Sequence, residues 1–198
     1  MGSREDLLVA ARKCLEEKGY SRTTARDLAA ASGANLASIG YHFGSKDALL
    51  NEAIIAAFAE WTENIRSLTF ADPDASTLER LVTALHAITD QVRQNRPLLV
   101  AFTETMAQVD RSPEVRERLA AGYRGCKDRV VEQVSILFPT DDPKPAQTLA
   151  SVFIALFDGL ALQQLLDPDS VPTGDELVTA LAQAGSVLAA DLTPDRQA

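Results

Sequence analysis

The chain is poor in the residues that most site chemistry needs. Its 198 residues include two cysteines, Cys14 and Cys126, and two histidines, His42 and His86. Two such distant thiols cannot make a disulfide-dense scaffold, and neither pair has metal-ligand spacing. No metal or cofactor is therefore expected. No apolar run reaches the roughly 18 residues of a membrane span. The nearest, Val152 to Phe157, stops at Asp158. The first six residues, Met1 to Asp6, lack the apolar stretch of a secretory leader. A cytoplasmic chain with reduced thiols and no membrane partner is the expectation. Positive charge is scarce too: 19 Lys and Arg face 28 Asp and Glu, a net charge of −9 that argues against nucleic acid. The remainder, 46% hydrophobic and 24% charged, is that of a soluble globular protein of one domain or two small ones.

The shortage of positive charge is not uniform. Residues 1–50 hold seven basic side chains and six acidic ones, a net +1, which leaves −10 for the rest. The N-terminal quarter can approach phosphate while the remainder is repelled. Ordinary drift of charge along a chain would produce the same asymmetry.

All nine prolines follow residue 72, with long gaps between them, and read as helix borders. Ser76–Glu79 and Thr173–Glu176 match capping boxes, and Ser112 before Pro113 and Glu114 is a good N-cap. Strand-like alternation is scarce. The pattern predicts an all-α chain of about nine helices, at 4–18, 24–31, 35–42, 46–69, 76–95, 97–109, 113–137, 146–166 and 174–191. The segment 139–145, with three prolines, reads as a surface loop. In the first helix, Leu7, Leu8, Ala11, Cys14 and Leu15 share one face, so Cys14 reads as core.

Residues 24–42 carry the sharpest pattern. Thr23 or Thr24 caps a short helix, with Asp27 placed to return the bond from Thr24. Ala29 is small where two helices would cross, and Gly33 suits a left-handed turn. Asn35 is a strong N-cap, and Ile39 would anchor the next helix inward. This is the spacing of a helix-turn-helix, although a plain helical hairpin uses the same residues. Next comes the run from Tyr41 to Leu50. Ser45 caps a new helix and Lys46 stands at its N-terminus, where backbone N–H groups also point outward and a phosphate fits. A solvated Lys46 beside Asp47 is the plainer reading.

On Gly19, Thr23-Thr24, Asp27, Leu28, Ala29, Gly33, Ile39, His42-Phe43, Ser45-Lys46 and Leu49-Leu50, the chain closely resembles the TetR family of bacterial transcriptional regulators. The resemblance is specific over about residues 4–55 and architectural beyond. It implies a three-helix DNA-binding head over 1–45 and a helical ligand-binding and dimerisation body over 46–198. It implies a homodimer on a palindromic double-stranded operator, with half-sites about 34–36 Å apart or modestly more. Thr24, Tyr41, His42 and Lys46 match positions that hold phosphates. Asn35, Leu36, Ala37 and Ser38 match the start of the reading helix. The family usually has Tyr where this chain has Gly40, so Tyr41 is the candidate to take over that contact. For His42, a cap on its own helix is the alternative. Leu36 and Ala37 offer only apolar contacts, so shape and backbone contacts should carry much of the specificity.

In the body, Trp61, His86, Phe102, Met106, Tyr123 and Cys126 lie on helices that surround the ligand cavity in relatives. They are candidate pocket residues for a small hydrophobic effector, with plain core packing as the alternative for each. Val152, Phe153, Leu156, Leu160, Leu181, Ala184 and Leu188 form apolar bands that pair across the two-fold axis in the family. No nucleophile elbow, phosphate loop or paired-carboxylate motif points to an enzyme. The expected function is a ligand-responsive regulator, most simply a repressor. The alternative is a small-molecule-sequestering helical protein with weak or lost DNA binding.

Overall fold

A computed structural model describes residues 3–192, and among these there is no strand. Nine α-helices follow one another: α1 (Arg4–Lys18), α2 (Ala25–Ser32), α3 (Leu36–Phe43), α4 (Lys46–Thr69), α5 (Thr77–Gln94), α6 (Arg96–Met106), α7 (Pro113–Leu137), α8 (Pro143–Leu166) and α9 (Gly174–Leu192). A single 3-10 turn, Pro168–Ser170, precedes α9. The expected capping boxes at Thr24–Asp27, Ser76–Glu79 and Thr173–Glu176 all form. Pro194 lies outside the described residues.

Two boundaries differ from expectation. Helix α8 starts at Pro143, so the loop before it is shorter than the sequence suggested. The Asp142 carboxylate caps it, accepting the Lys144 N–H at 3.0 Å. Pro143 and Pro145 then fall in a first turn whose N–H groups have no partner within the helix, so both are tolerated. Helix α6 ends at Met106, where the chain tightens into three-residue bonds such as Gln108 N–H to Thr105 O.

Helix α4 organises the molecule. It packs against α1 and α3 at its start and against α5, α6 and α7 further along. Leu49, Leu50, Ala53, Ile54, Ala57 and Trp61 on α4 are all buried in one core cluster, which also holds Leu7, Leu15, Leu28 and Ile39 from the first three helices. Cys14 is buried there, as expected. The start and the middle of α1 are tied to α4 by Arg4–Glu52 and Arg12–Glu60 ion pairs.

Helices α8 and α9 correct part of the expected dimer surface. Leu160 is only 3% exposed and belongs to this chain's own core. Phe153 faces an internal cavity, and Leu156 is half-buried against the core. The cause is that α8 is apolar around most of its circumference, so one sequence band covers both an inner and an outer face. Val152, Leu162 and Leu166 are outward ones. By length and composition α8 is also apolar enough to cross a membrane, although its inner side is committed to the core and cavity. Helix α9 packs against α5, with Leu177 buried near its start; residues 179–190 are exposed, Leu181, Ala184 and Leu188 included.

Candidate nucleic-acid interface and internal cavity

The first three helices place α3 on the outside of the head. Gly33 takes φ 67°, ψ 8°, the left-handed turn between α2 and α3 that a side chain would strain. Asn35 caps α3: its Oδ1 accepts from Ser38 N–H at 2.9 Å and from Ser38 Oγ at 3.0 Å. Ile39 and Phe43 turn inward and are buried. Outward stand Leu36, Ala37, Gly40 and Tyr41, the last 86% exposed. The Asn35 amide N–H groups remain available, while its carbonyl is spent on the cap. Direct base reading from this face therefore rests on few polar atoms.

The structure places the other candidates as follows. The Thr24 hydroxyl is bound within its capping box, donating to Asp27 Oδ2 at 2.6 Å. The Asp27 carboxyl is held well below its usual range by Lys18 and by both Thr24 groups. His42 packs edge-on against Tyr41 at 4.9 Å between ring centroids. Its helix is closed instead by Gly44 N–H to Gly40 O at 3.0 Å. Lys46 pairs with Asp47 at 2.9 Å and lies 5.5 Å from the Tyr20 ring centroid. Asp47 is its neighbour, but the Lys46 side chain is only 29% exposed rather than fully solvated. Sequence reasoning passed over Arg26, in the first turn of α2 beside Thr24. It is exposed and makes no ion pair among the described residues. Its signal was its place next to the Thr24 cap.

The head is joined to the body by polar contacts as well as by α4. Tyr20 Oη donates to Asn51 Oδ1 on α4 at 3.0 Å, both residues being buried. The Ser21 N–H and hydroxyl both donate to Glu104 Oε2 on α6, at 3.0 and 3.1 Å. None of these partners could be paired from sequence, because the separations of 31 and 83 residues are set by packing.

Between α4, α5, α6, α7 and α8 lies a cavity of about 140 Å³. Its wall includes Trp61, Phe102, Tyr123 and Cys126, together with Ile54, Ile55, Phe58, Phe153 and Phe157. His86 and Met106 lie elsewhere. His86 sits between α5 and α9, 3.1 Å from the Asp175 carboxylate, and Met106 ends α6 at 46% exposure. Phe58 is the centre of an edge-on aromatic cluster, 4.8 Å from both Trp61 and Phe102 and 6.0 Å from Phe157. The polar wall groups are few: Thr62, Thr69, Gln133, Tyr123, Cys126 and Asp158. Tyr123 Oη donates to Asp158 Oδ2 at 2.6 Å. Burial raises the Asp158 carboxyl, opposed by that bond, and also raises the Tyr123 hydroxyl and the Cys126 thiol. A thiol raised by burial stays protonated and is a poor nucleophile. No cluster of three or more His, Cys, Asp or Glu able to hold a metal is found among the described residues.

Comparison with known proteins adds three findings. Residues 7–53 match the family model "Bacterial regulatory proteins, tetR family", and residues 77–190 match "BetI-type transcriptional repressor, C-terminal". The HTH-type transcriptional regulator BetI of Agrobacterium fabrum is 28% identical over 181 residues, 91% of this chain and 84% of that one. The HTH-type transcriptional repressor KstR2 of Rhodococcus jostii is 32% identical over 90 residues, 45% of this chain. That match spans under half of the relative's length, 44%. A transcriptional regulator from Saccharomonospora viridis, solved in complex with choline, shares the fold with a TM-score of 0.63 at 22% identity, covering 91% of this chain and 93% of that one.

Proposed function

The chain belongs to the tetR family of bacterial regulatory proteins, whose members are transcriptional regulators rather than enzymes, and from that premise we propose that it is a ligand-responsive repressor. It acts in the cytoplasm as a homodimer on a palindromic operator. A head over 1–45 reads DNA, and a body over 46–198 holds the effector and the second subunit.

One observation carries this reading: a single helix belongs to both parts. Helix α4 begins at Lys46, against the DNA-reading head, and its middle turns supply Ile54, Phe58 and Trp61 to the cavity wall. The fifteen helical steps from Lys46 to Trp61 span about 22 Å of helix. A molecule filling the cavity must press on the same rod that sets the head. It shifts the heads only to the extent that it binds the two body arrangements unequally. The wall is largely aliphatic and aromatic, which supports a small, mainly apolar organic effector. The choline-bound relative supports a small molecule as the occupant class.

The dimer rests on the outward faces of α8 and α9. Val152, Leu162, Leu181, Val187 and Leu188 are all more than 40% exposed. So many apolar side chains on two neighbouring segments suit a self-complementary contact about a two-fold axis.

DNA contact is proposed through Asn35, Leu36, Ala37 and Ser38 in the groove, with Gly40 allowing close approach. Thr24, Arg26, Tyr41, His42 and Lys46 lie along the backbone. The test is fluorescence anisotropy of the dimer on DNA from upstream of its own gene, against scrambled DNA, across a salt series. Specific binding that weakens with salt and falls in Tyr41→Ala and Arg26→Ala supports the reading. Absence of salt-dependent binding to any duplex tested, with the cavity still binding small molecules, favours a sequestering protein instead.

A further inference from the structure

We propose that Gln133 determines which effector the cavity accepts: its amide N–H donates to the carbonyl oxygen of an uncharged, otherwise apolar molecule. This deepens the effector reading above and rests on it. Gln133 lines the cavity from α7 and is only 8% exposed, and its Nε2 has no hydrogen-bond partner among the described residues. No other wall side chain carries a buried nitrogen or oxygen in that condition. The hydroxyl donors are spent. Thr62 donates to Phe58 O at 2.9 Å and Thr69 to Ile65 O at 2.7 Å, each within α4, and Tyr123 donates to Asp158. A buried N–H without an acceptor is costly, and a ligand oxygen set against it removes that cost. The acceptor must be neutral. The wall has no lysine or arginine to hold an anion, and its one carboxylate, Asp158, repels one.

The position of Gln133 sets the direction of the ligand. Helix α7 runs beside α4 in the same sense: Gly122 comes against Ile55, and Glu132 acts on the charge of Arg66. Gln133 therefore stands beside the last turns of α4, at the end of the cavity away from the head. Arg66 is five residues beyond Trp61, about 7.5 Å along the helix. A body packed on the Phe58 and Trp61 rings thus carries its oxygen away from the head, towards Gln133. Val130, Val134 and Leu137 flank that amide on α7 and are wall residues too, so the bond forms in apolar surroundings. The volume, about 140 Å³, is close to that of an apolar cavity that holds benzene, about 150 Å³. One ring bearing one carbonyl group is the right size.

The full-length protein is titrated calorimetrically with acetophenone and with isopropenylbenzene, in which a methylene group replaces the carbonyl oxygen at nearly the same shape. Both probes are run on wild type and on Gln133→Met. The alkene leaves water more readily than the ketone whatever the site, so the ratio of the two dissociation constants is compared between proteins. The expected result is a shift of that ratio by about tenfold towards the alkene in Gln133→Met, through weaker binding of the ketone. A cavity merely reshaped by the substitution changes both probes alike. An unchanged ratio with both probes bound overturns the role of Gln133 and leaves an apolar effector cavity intact. Binding of neither probe overturns the proposal together with the effector reading. The infrared band of the bound ketone needs no variant. Its C=O stretch on wild type should lie below its position in hexane, and a band at the hexane position overturns the proposal.

Discussion

Replacing Tyr20 by Phe should loosen the head from α4 by a measurable amount. The Tyr20 hydroxyl donates to Asn51 Oδ1 at 3.0 Å, with the two residues 3% and 1% exposed. Asn51 Nδ2 already has no partner. Losing the hydroxyl leaves the Asn51 amide wholly unpaired in the core, which costs about 1–3 kcal/mol. For a chain of this size each kcal/mol moves the melting temperature by about 2–4 °C. A loss of about 2 kcal/mol therefore lowers Tm by roughly 4–8 °C. The pH dependence supplies a second readout. Burial pushes the Tyr20 hydroxyl up to about 12, from an ordinary value near 10. A group raised in the folded state stabilises it fully below its unfolded pKa, and that stability is lost as pH rises towards the folded value. Wild type should thus lose stability faster than Tyr20→Phe between about pH 10 and 12, and the two should run parallel above that. Melts followed by circular dichroism at fixed protein concentration, at pH 8 and in steps to 12, make the comparison. The double variant Tyr20→Phe with Asn51→Leu should recover part of the loss, because both polar partners are gone. A Tyr20→Phe protein that melts within a degree of wild type, with the same alkaline slope, refutes the assignment of this bond as a clamp on the head.

Three further outcomes are expected. A Cβ built at Gly40 meets nothing within 4 Å, so Gly40→Ala should stabilise α3 by up to about 1 kcal/mol in a thermal melt. If DNA affinity drops in the same variant, the glycine is there to let the backbone approach the groove. Gln133→Met removes a donor that is buried and unpartnered, so its melting temperature should rise by a few degrees, about 2–4 °C per kcal/mol recovered. The Asp27 carboxyl is depressed by Lys18 and the Thr24 cap, so its contribution is present above the ordinary carboxyl pKa of about 4 and fades as pH falls below it. Asp27→Asn should accordingly flatten the acid limb of the stability curve below pH 4, read by denaturant titration, while lowering stability at neutral pH.

What the sequence determined is what depends on near neighbours. Caps, turn glycines and prolines act within four or five residues, so Thr24, Asn35, Ser45 and Ser112 marked helix starts that the structure has. The inward Ile39 and the outward Tyr41 followed from helical spacing once Gly33 fixed the turn. Pro143 and Pro145 misled because one residue type serves both loops and first turns, and the Asp142 cap decides between them. Tertiary structure alone decided which side of a mostly apolar helix faces where. It turned Phe153 to the cavity, Leu160 to the core and Val152 outward, a choice that periodicity cannot make when most of the circumference of α8 is apolar. It also brought Tyr123 to Asp158 across 35 residues, and Ser21 to Glu104 across 83. Those contacts are made by packing between helices distant in sequence, and no local pattern encodes them. The lone carboxylate of the cavity therefore emerged only from the fold, while the head and four of the cavity's wall residues, Trp61, Phe102, Tyr123 and Cys126, were legible in the chain.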